Sequence, residues 1–231
     1  MDTVSLARPV WIAYISCDSV FVSVSGNREH CLIEKVKEDV AAILQPSTNF
    51  LVRSRVTPDI LTMIGFALNG VAAALFGLDE YRWGGFTVLF AGLFDLLDGQ
   101  VARTGRTETK FGALLDSTVD RYSEIIVWFG LAVSFIRSGS LWTSSALFFA
   151  LAGSLMVSYV RARAEGLGED CKVGVMQRPE RVILLGLGGI IGTIGLTAAA
   201  WLIAILSNYT TLERVLHIRR RQSESQEESP L

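Results

Sequence analysis

Residues 182–212 read VILLGLGGIIGTIGLTAAAWLIAILSNYTTL, thirty-one positions without a charged side chain. As one α-helix the run would be about 46 Å long, whereas a hydrocarbon layer of about 30 Å needs roughly 20 residues. It divides better into two helices joined by a tight turn near Gly192 to Thr197, with Pro179 opening the first. Upstream, Ile60 to Leu78 (nineteen residues) and Ser138 to Val160 (twenty-three) are also uncharged. Trp83 to Arg103 and Phe111 to Ile136 are apolar and long, with acidic residues toward one end of each. The count is six spans.

The basic residues provide an independent check. With six spans, only Arg82 and Arg137 of the 21 lysines and arginines lie on one side of the bilayer. Cytoplasmic loops carry the basic excess, so both termini and the loops 103–110 and 161–181 are expected in the cytoplasm. Basic clusters at Arg53 and Arg55 and at Arg219 to Arg221 require an even number of spans. Composition agrees: half of the 231 residues are hydrophobic and 19% charged, against about 25% charged in ordinary soluble domains. A net charge of −2 lacks the basic excess that nucleic acid demands, so nucleic acid is not an expected partner. Three cysteines at unrelated spacings argue against a disulfide framework or a zinc site.

The expected fold is therefore all-α: a polytopic membrane protein with six transmembrane helices preceded by an amphipathic helix on the membrane surface. Residues 1–32 form an extension without an assigned role, lacking the basic start and small-residue cleavage site of a signal peptide. Residues 33–55 hold apolar positions on a helical period opposite Lys35, Lys37, Glu38 and Asp39, with a bend at Pro46. The six-helix domain spans 56–218, and 219–231 is a polar tail expected to be disordered.

Against this apolar background four carboxylates stand out. Asp95 and Asp98 are three apart and share a helix face, extended by Gly99, Ala102 and Arg103. Gly112, Asp116 and Asp120 step by four along the next helix. The linker from Thr104 to Phe111 is short, so the two helices are antiparallel neighbours and the carboxylates converge. Asp95 lies about 18 Å along its helix from the outer end, toward the cytoplasmic side. An aspartate at mid-membrane costs roughly 3 kcal/mol even on a lenient scale, and four like charges add repulsion. Ion pairing with Arg103, Arg106, Lys110 and Arg121 would offset some of this, yet the spacing serves convergence. Oxygen-only ligation selects a hard cation, Mg²⁺ or Mn²⁺, or Ca²⁺. Four carboxylates suit two such ions clamping a phosphate in displacement. Gly99, Ala102 and Gly112 leave room for a bulky anion, and Arg103 and Lys110 can neutralise its oxygens.

The string Asp95-x2-Asp98-Gly99-x2-Ala102-Arg103-x8-Gly112-x3-Asp116-x3-Asp120 resembles the signature of the CDP-alcohol phosphotransferases, with every specified position filled. That resemblance covers about Ile33 to Arg221. It implies transfer of a phospho-alcohol unit from a CDP-linked donor to a second alcohol, with release of CMP. By position it implies metal ligands at Asp95, Asp98, Asp116 and Asp120, with Asp120 also the general base on the acceptor hydroxyl. It implies CDP-lipid contacts at Gly99, Ala102, Arg103, Thr109 and Gly112, with Asp59, Ile60, Leu61 and Thr62 closing over the cytidine. It also implies a homodimer in the cell membrane.

Ser158, Arg161 and Arg163 in SYVRARAEG, Arg181 in QRPER and Arg214 in LERVLH resemble the branch whose acceptor is inositol 1-phosphate. There, matching residues hold the acceptor's phosphate. Several arginines suit a phosphorylated acceptor, inositol 1-phosphate or glycerol 3-phosphate, better than a neutral one. Arg161 and Arg163 diverge by about 160° on a helix, so Arg161, Arg181 and Arg214 are the stronger candidates. A cation transporter is the competing class, because transporters also bury carboxylates. Its sites lie at the midplane between repeated halves, whereas these carboxylates lie toward one side and the last two helices do not repeat them.

Overall fold

The computed structural model describes residues 44–54, 56–171 and 173–227, with the side chains of 223–227 left aside. The chain divides into two compact units at Gln45 and Pro46, and all that follows belongs to the second except residues 44 and 45. Among the described residues there are seven helices and no strand: α1 (44–53), α2 (Pro58–Gly77), α3 (Tyr81–Gly105), α4 (Lys110–Arg137), α5 (Leu141–Glu165), α6 (Arg178–Ile191) and α7 (Thr193–Glu227). Residues 1–43, and with them positions 33–43 of the expected surface helix, lie outside the described residues. Thr48 in α1 is buried and donates to Gln100 Oε1 of α3 at 2.9 Å.

Among the described residues four helices, α2, α3, α5 and α7, are long and apolar enough to cross a membrane. Only 28–39% of their apolar stretches is buried inside the protein. Aromatic and aliphatic side chains such as Phe148, Trp142 and Ile194 face outward, as surfaces solvated by lipid do. The other two candidate spans fall short for plain reasons. α4 carries Asp116, Asp120, Arg121 and Glu124 between its first turns and its middle, and α6 has only 14 residues.

The turn expected between 192 and 197 is a single residue. Gly192 adopts φ 107°, ψ −157°, a conformation costly for any residue with a β-carbon. α7 then runs unbroken to Glu227, through most of the segment expected as a disordered tail. Its last turns, RRRQSESQE, are largely straight-chain residues of good helix propensity.

Packing closes α2, α3, α6, α7, α5 and α4 into a ring in which each helix touches its two neighbours. Phe76, Leu131, Phe135, Leu196 and Ile203 fill the middle. Glycines bring backbones close where small residues must substitute for a hydrophobic driving force. A β-carbon on Gly85 would lie 2.5 Å from Gly186 O and 2.8 Å from Ile190 N, pinning α3 to α6.

At the end of the ring away from the carboxylates, Asp79 turns the chain from α2 into α3 with φ 68°. Ser134 donates to its Oδ1 at 2.5 Å, Arg137 reaches its Oδ2 at 2.5 Å, and the Tyr81 hydroxyl lies 2.6 Å from Ser134 Oγ. Chiefly the Ser134 hydrogen bond, and then the charge of Arg137, hold the Asp79 carboxyl below its usual range. This clasp joins the α2–α3 turn to the end of α4.

Candidate active site

The opposite end of the ring gathers the acidic residues. Arg106 caps α3 in the left-handed conformation (φ 51°), which reverses the chain, and α4 starts four residues later. Thr109 caps α4, its Oγ1 accepting from Gly112 N at 2.9 Å. This short reversal brings Asp95 and Asp98 of α3 against Asp116 of α4. One carboxylate oxygen from each of the three lies within 4.8 Å of the others.

These residues suit a hard divalent cation. The donors are all oxygen, and Asp116 Oδ1 is buried without a hydrogen-bond partner, as a carboxylate kept for a metal would be. Asp98 is buried and oriented by Thr62, whose hydroxyl donates to Asp98 Oδ2 at 2.7 Å. Thr62 comes from the first turns of α2, which Pro58 opens.

Asp120 lies one turn beyond Asp116 and is buried, but it is not among the three clustered oxygens. Its Oδ1 is 2.6 Å from Arg178 Nη2, while Arg178 Nη1 is 2.5 Å from Asp95 Oδ2. One guanidinium from the start of α6 thus joins both carboxylate helices. Arg178 stands in the QRPER string but was not among the candidates from sequence; helical spacing reveals faces, not partners on another helix.

The remaining donor-side candidates divide. Asp59, Thr109 and Gly112 come together: a β-carbon on Gly112 would lie 3.0 Å from Thr109 Oγ1 and 3.6 Å from Asp59 Oδ1. Arg103 folds back over Gly99, where a β-carbon would lie 3.3 Å from its Nη1. Ala102 is half-buried beside it. Leu61 points into the protein and Ile60 out of it.

The acceptor-side candidates are each engaged separately. Arg181 is buried, its Nε and Nη2 donating to the two oxygens of Glu124 at 2.8 and 3.2 Å. Arg214, also buried, donates from Nε to Val173 O at 2.8 Å and from Nη1 to Val157 O at 2.6 Å. Arg161 pairs with Glu165 at the surface, and Ser158 Oγ donates to Ser154 O at 3.4 Å. Arg163 is exposed. Glu124 was absent from the sequence candidates, although it extends the i+4 ladder of Asp116 and Asp120 by one more turn. Asp95, Asp120, Glu124, Arg178 and Arg181 line a cavity of ≈ 50 Å³, and Phe66, Val127 and Leu185 form its apolar wall.

A ring of helices with outward apolar faces, carrying a carboxylate cluster suited to a divalent cation beside arginines at one end, defines a membrane protein equipped for phosphate chemistry. The chain belongs to the CDP-alcohol phosphatidyltransferase family, which residues 55–216 match, and is a transferase. It is 38% identical over 193 residues to the phosphatidylinositol phosphate synthase of Mycobacteroides abscessus, covering 79% of this chain and 86% of that one. It is 33% identical over 191 residues to the archaetidylinositol phosphate synthase of Pyrococcus horikoshii, covering 82% and 98%. The crystal structure of the Mycobacterium tuberculosis phosphatidylinositol phosphate synthase with CDP-DAG bound superposes with a TM-score of 0.68. It is 33% identical, with 75% of this chain and 92% of that chain covered. The same enzyme in complex with manganese and citrate gives a TM-score of 0.66 at 33% identity, covering 74% and 86%.

Proposed function

We propose that this chain transfers a phosphatidyl or archaetidyl unit from a CDP-activated lipid to inositol 1-phosphate, releasing CMP. The observation that carries this reading is the carboxylate cluster of Asp95, Asp98 and Asp116, with Asp59 of α2 grouped beside Thr109 and Gly112 at the start of α4. The relatives named for inositol phosphate lipids supply the acceptor.

Asp95, Asp98 and Asp116 would hold one divalent ion, Mg²⁺ or Mn²⁺, and Asp120 with the oxygens they leave free would serve a second. Ions bound there supply electrostatic stabilisation of the phosphate oxygens and of the departing CMP. Thr62 keeps Asp98 in its ligating orientation. Gly99 and Gly112 leave the backbone open to the nucleotide, and Arg103 balances its phosphates. Asp120 accepts the proton of the acceptor hydroxyl. That oxygen bonds to the lipid-side phosphorus, the phosphoanhydride bond breaks, and its electron pair leaves with CMP.

The acceptor's phosphate is met at the cytoplasmic edge by Ser158, Arg161, Arg163, Arg181 and Arg214. A guanidinium has five N–H donors, so Arg214 retains donors beyond the two bonds that fix it. α4 and α6 complete six spans, with the carboxylate end in the cytoplasm by the basic-residue asymmetry. The chain acts in the cell membrane as a homodimer.

The test is CMP release from CDP-diacylglycerol and from its archaeal ether counterpart, each with inositol 1-phosphate, glycerol 3-phosphate, inositol or serine. Turnover is expected with inositol 1-phosphate, lost in EDTA and restored by Mg²⁺ or Mn²⁺. Preference for glycerol 3-phosphate would change the acceptor, and metal-independent turnover would refute the reading.

A further inference from the structure

Arg178 opens α6 just after Gln177, and Pro179 holds that first turn rigid. Its guanidinium gives one nitrogen to each of two carboxylates on two different helices, Asp95 Oδ2 and Asp120 Oδ1. Asp98 instead has Thr62, and Asp116 Oδ1 has no hydrogen-bond partner. The four carboxylates are thus divided, two of them tied to a cation and two not.

We infer that Arg178 competes with a divalent ion for Asp95 and Asp120, so that an ion shared by these two carboxylates is loaded only by displacing the guanidinium. Each oxygen that Arg178 holds is one an ion would approach to about 2.1 Å, inside the space the N–H occupies. Asp95 has two oxygens; with one serving the cluster with Asp98 and Asp116, an ion shared with Asp120 needs the other. Charge points the same way. Four carboxylates balance two divalent ions, or nearly balance one ion with Arg178, whereas two ions and Arg178 together over-neutralise them. Arg178 is therefore a positioning residue in one arrangement and a free cation in the other.

The released guanidinium remains on the wall of the cavity that Arg178 lines, where an incoming anionic acceptor is its natural partner. This last step rests on the transferase reading, and it links loading of the shared ion to binding of a phosphorylated acceptor. Such a link is reciprocal: an acceptor that draws Arg178 away favours the ion, and the ion favours the acceptor.

The decisive experiment titrates Mn²⁺ into the purified full chain, followed by electron paramagnetic resonance without any substrate, for the wild type, R178Q and R178K. Glutamine removes the charge and the fork. R178Q should bind Mn²⁺ in its weaker site at least about tenfold more tightly than the wild type. R178K keeps the charge but cannot bridge both carboxylates, and should fall between. A titration of R178Q that is unchanged or weaker would overturn the competition. If R178Q does not purify folded, R178K decides, because affinity equal to wild type there is equally fatal. In turnover, R178Q should raise the KM for inositol 1-phosphate several-fold more than the KM for CDP-lipid. Absence of CMP release with every acceptor would refute the transferase reading while leaving the Mn²⁺ titration to decide the competition.

Discussion

Glu124→Gln is the sharpest test of what Arg181 does. Sequence resemblance assigns Arg181 to the acceptor's phosphate, yet its Nε and Nη2 are bonded to Glu124, and side-chain exposure is 3% for Arg181 and 12% for Glu124. Removing one partner of a buried pair leaves the other charge uncompensated, which costs about 3–5 kcal/mol. Glutamine keeps the shape and one acceptor oxygen, so the lower part of that range applies. In a chain of this length each kcal/mol shifts Tm by about 2–4 °C, so a fall of about 6–12 °C is expected for the detergent-solubilised protein. Replacing both residues by methionine removes the stranded charge, and E124M/R181M should recover much of the loss. CMP release below the melting range then separates two roles. If Arg181 also touches the acceptor, R181M raises the KM for inositol 1-phosphate while E124Q changes it little. Melting temperatures within 1–2 °C of wild type for both single variants would refute the pairing argument.

Further outcomes are expected elsewhere. Asp120→Asn should abolish CMP release while largely preserving CDP-lipid binding measured by tritium-labelled ligand retention; normal turnover would remove Asp120 from proton transfer. Thr62→Val deletes the donor to Asp98 and should lower Mn²⁺ affinity or turnover about 10–100-fold, an effect that unchanged metal titration and rate would exclude. Gly85→Val sets methyl groups against the backbone of Gly186 and Ile190, at about 1–3 kcal/mol, and should lower both Tm and turnover. The Asp79 carboxyl is held below its usual pKa of 3.8, so its clasp contributes stability above that value and loses it as pH falls through the lower, folded-state pKa. Asp79→Asn, which tolerates the left-handed backbone, should therefore narrow the difference in Tm between pH 7 and pH 3; equal pH dependence in both proteins would count against the clasp.

What the sequence reveals is what lies along one helix. The steps Asp95–Asp98 and Asp116–Asp120 are intrahelical spacings, and a short linker forces the two helices to be neighbours, so a convergence of carboxylates follows from the chain alone. Thr62, suggested by resemblance, is found bonded to Asp98. What the sequence hides are partners on other elements. Glu124 of α4 stands opposite Arg181, and the carbonyls of Val157 and Val173 accept from Arg214; helical spacing announces neither, because each partner lies on another element. Composition also misleads at the end of the chain: Gln222 to Glu227 is polar enough to suggest disorder, but its local propensities continue α7.

The distance from the glycine contact to the carboxylates explains how a bundle with few polar bonds places Arg178. α3 and α6 are fixed together where Gly85 meets Gly186 and Gly189. From Gly85 to Asp95 is ten residues along α3, about 15 Å, and from Gly189 back to Arg178 is eleven along α6, about 16 Å. Two antiparallel helices held at that point therefore carry Asp95 and Arg178 to the same depth, where their side chains meet. The contact requires the absence of side chains, since a β-carbon on Gly189 would lie 2.8 Å from the Gly85 Cα. Glycines that look like generic membrane packing thus set the reach of a charged residue two to three helical turns away. The chemistry at one end of the ring depends on close packing near the other.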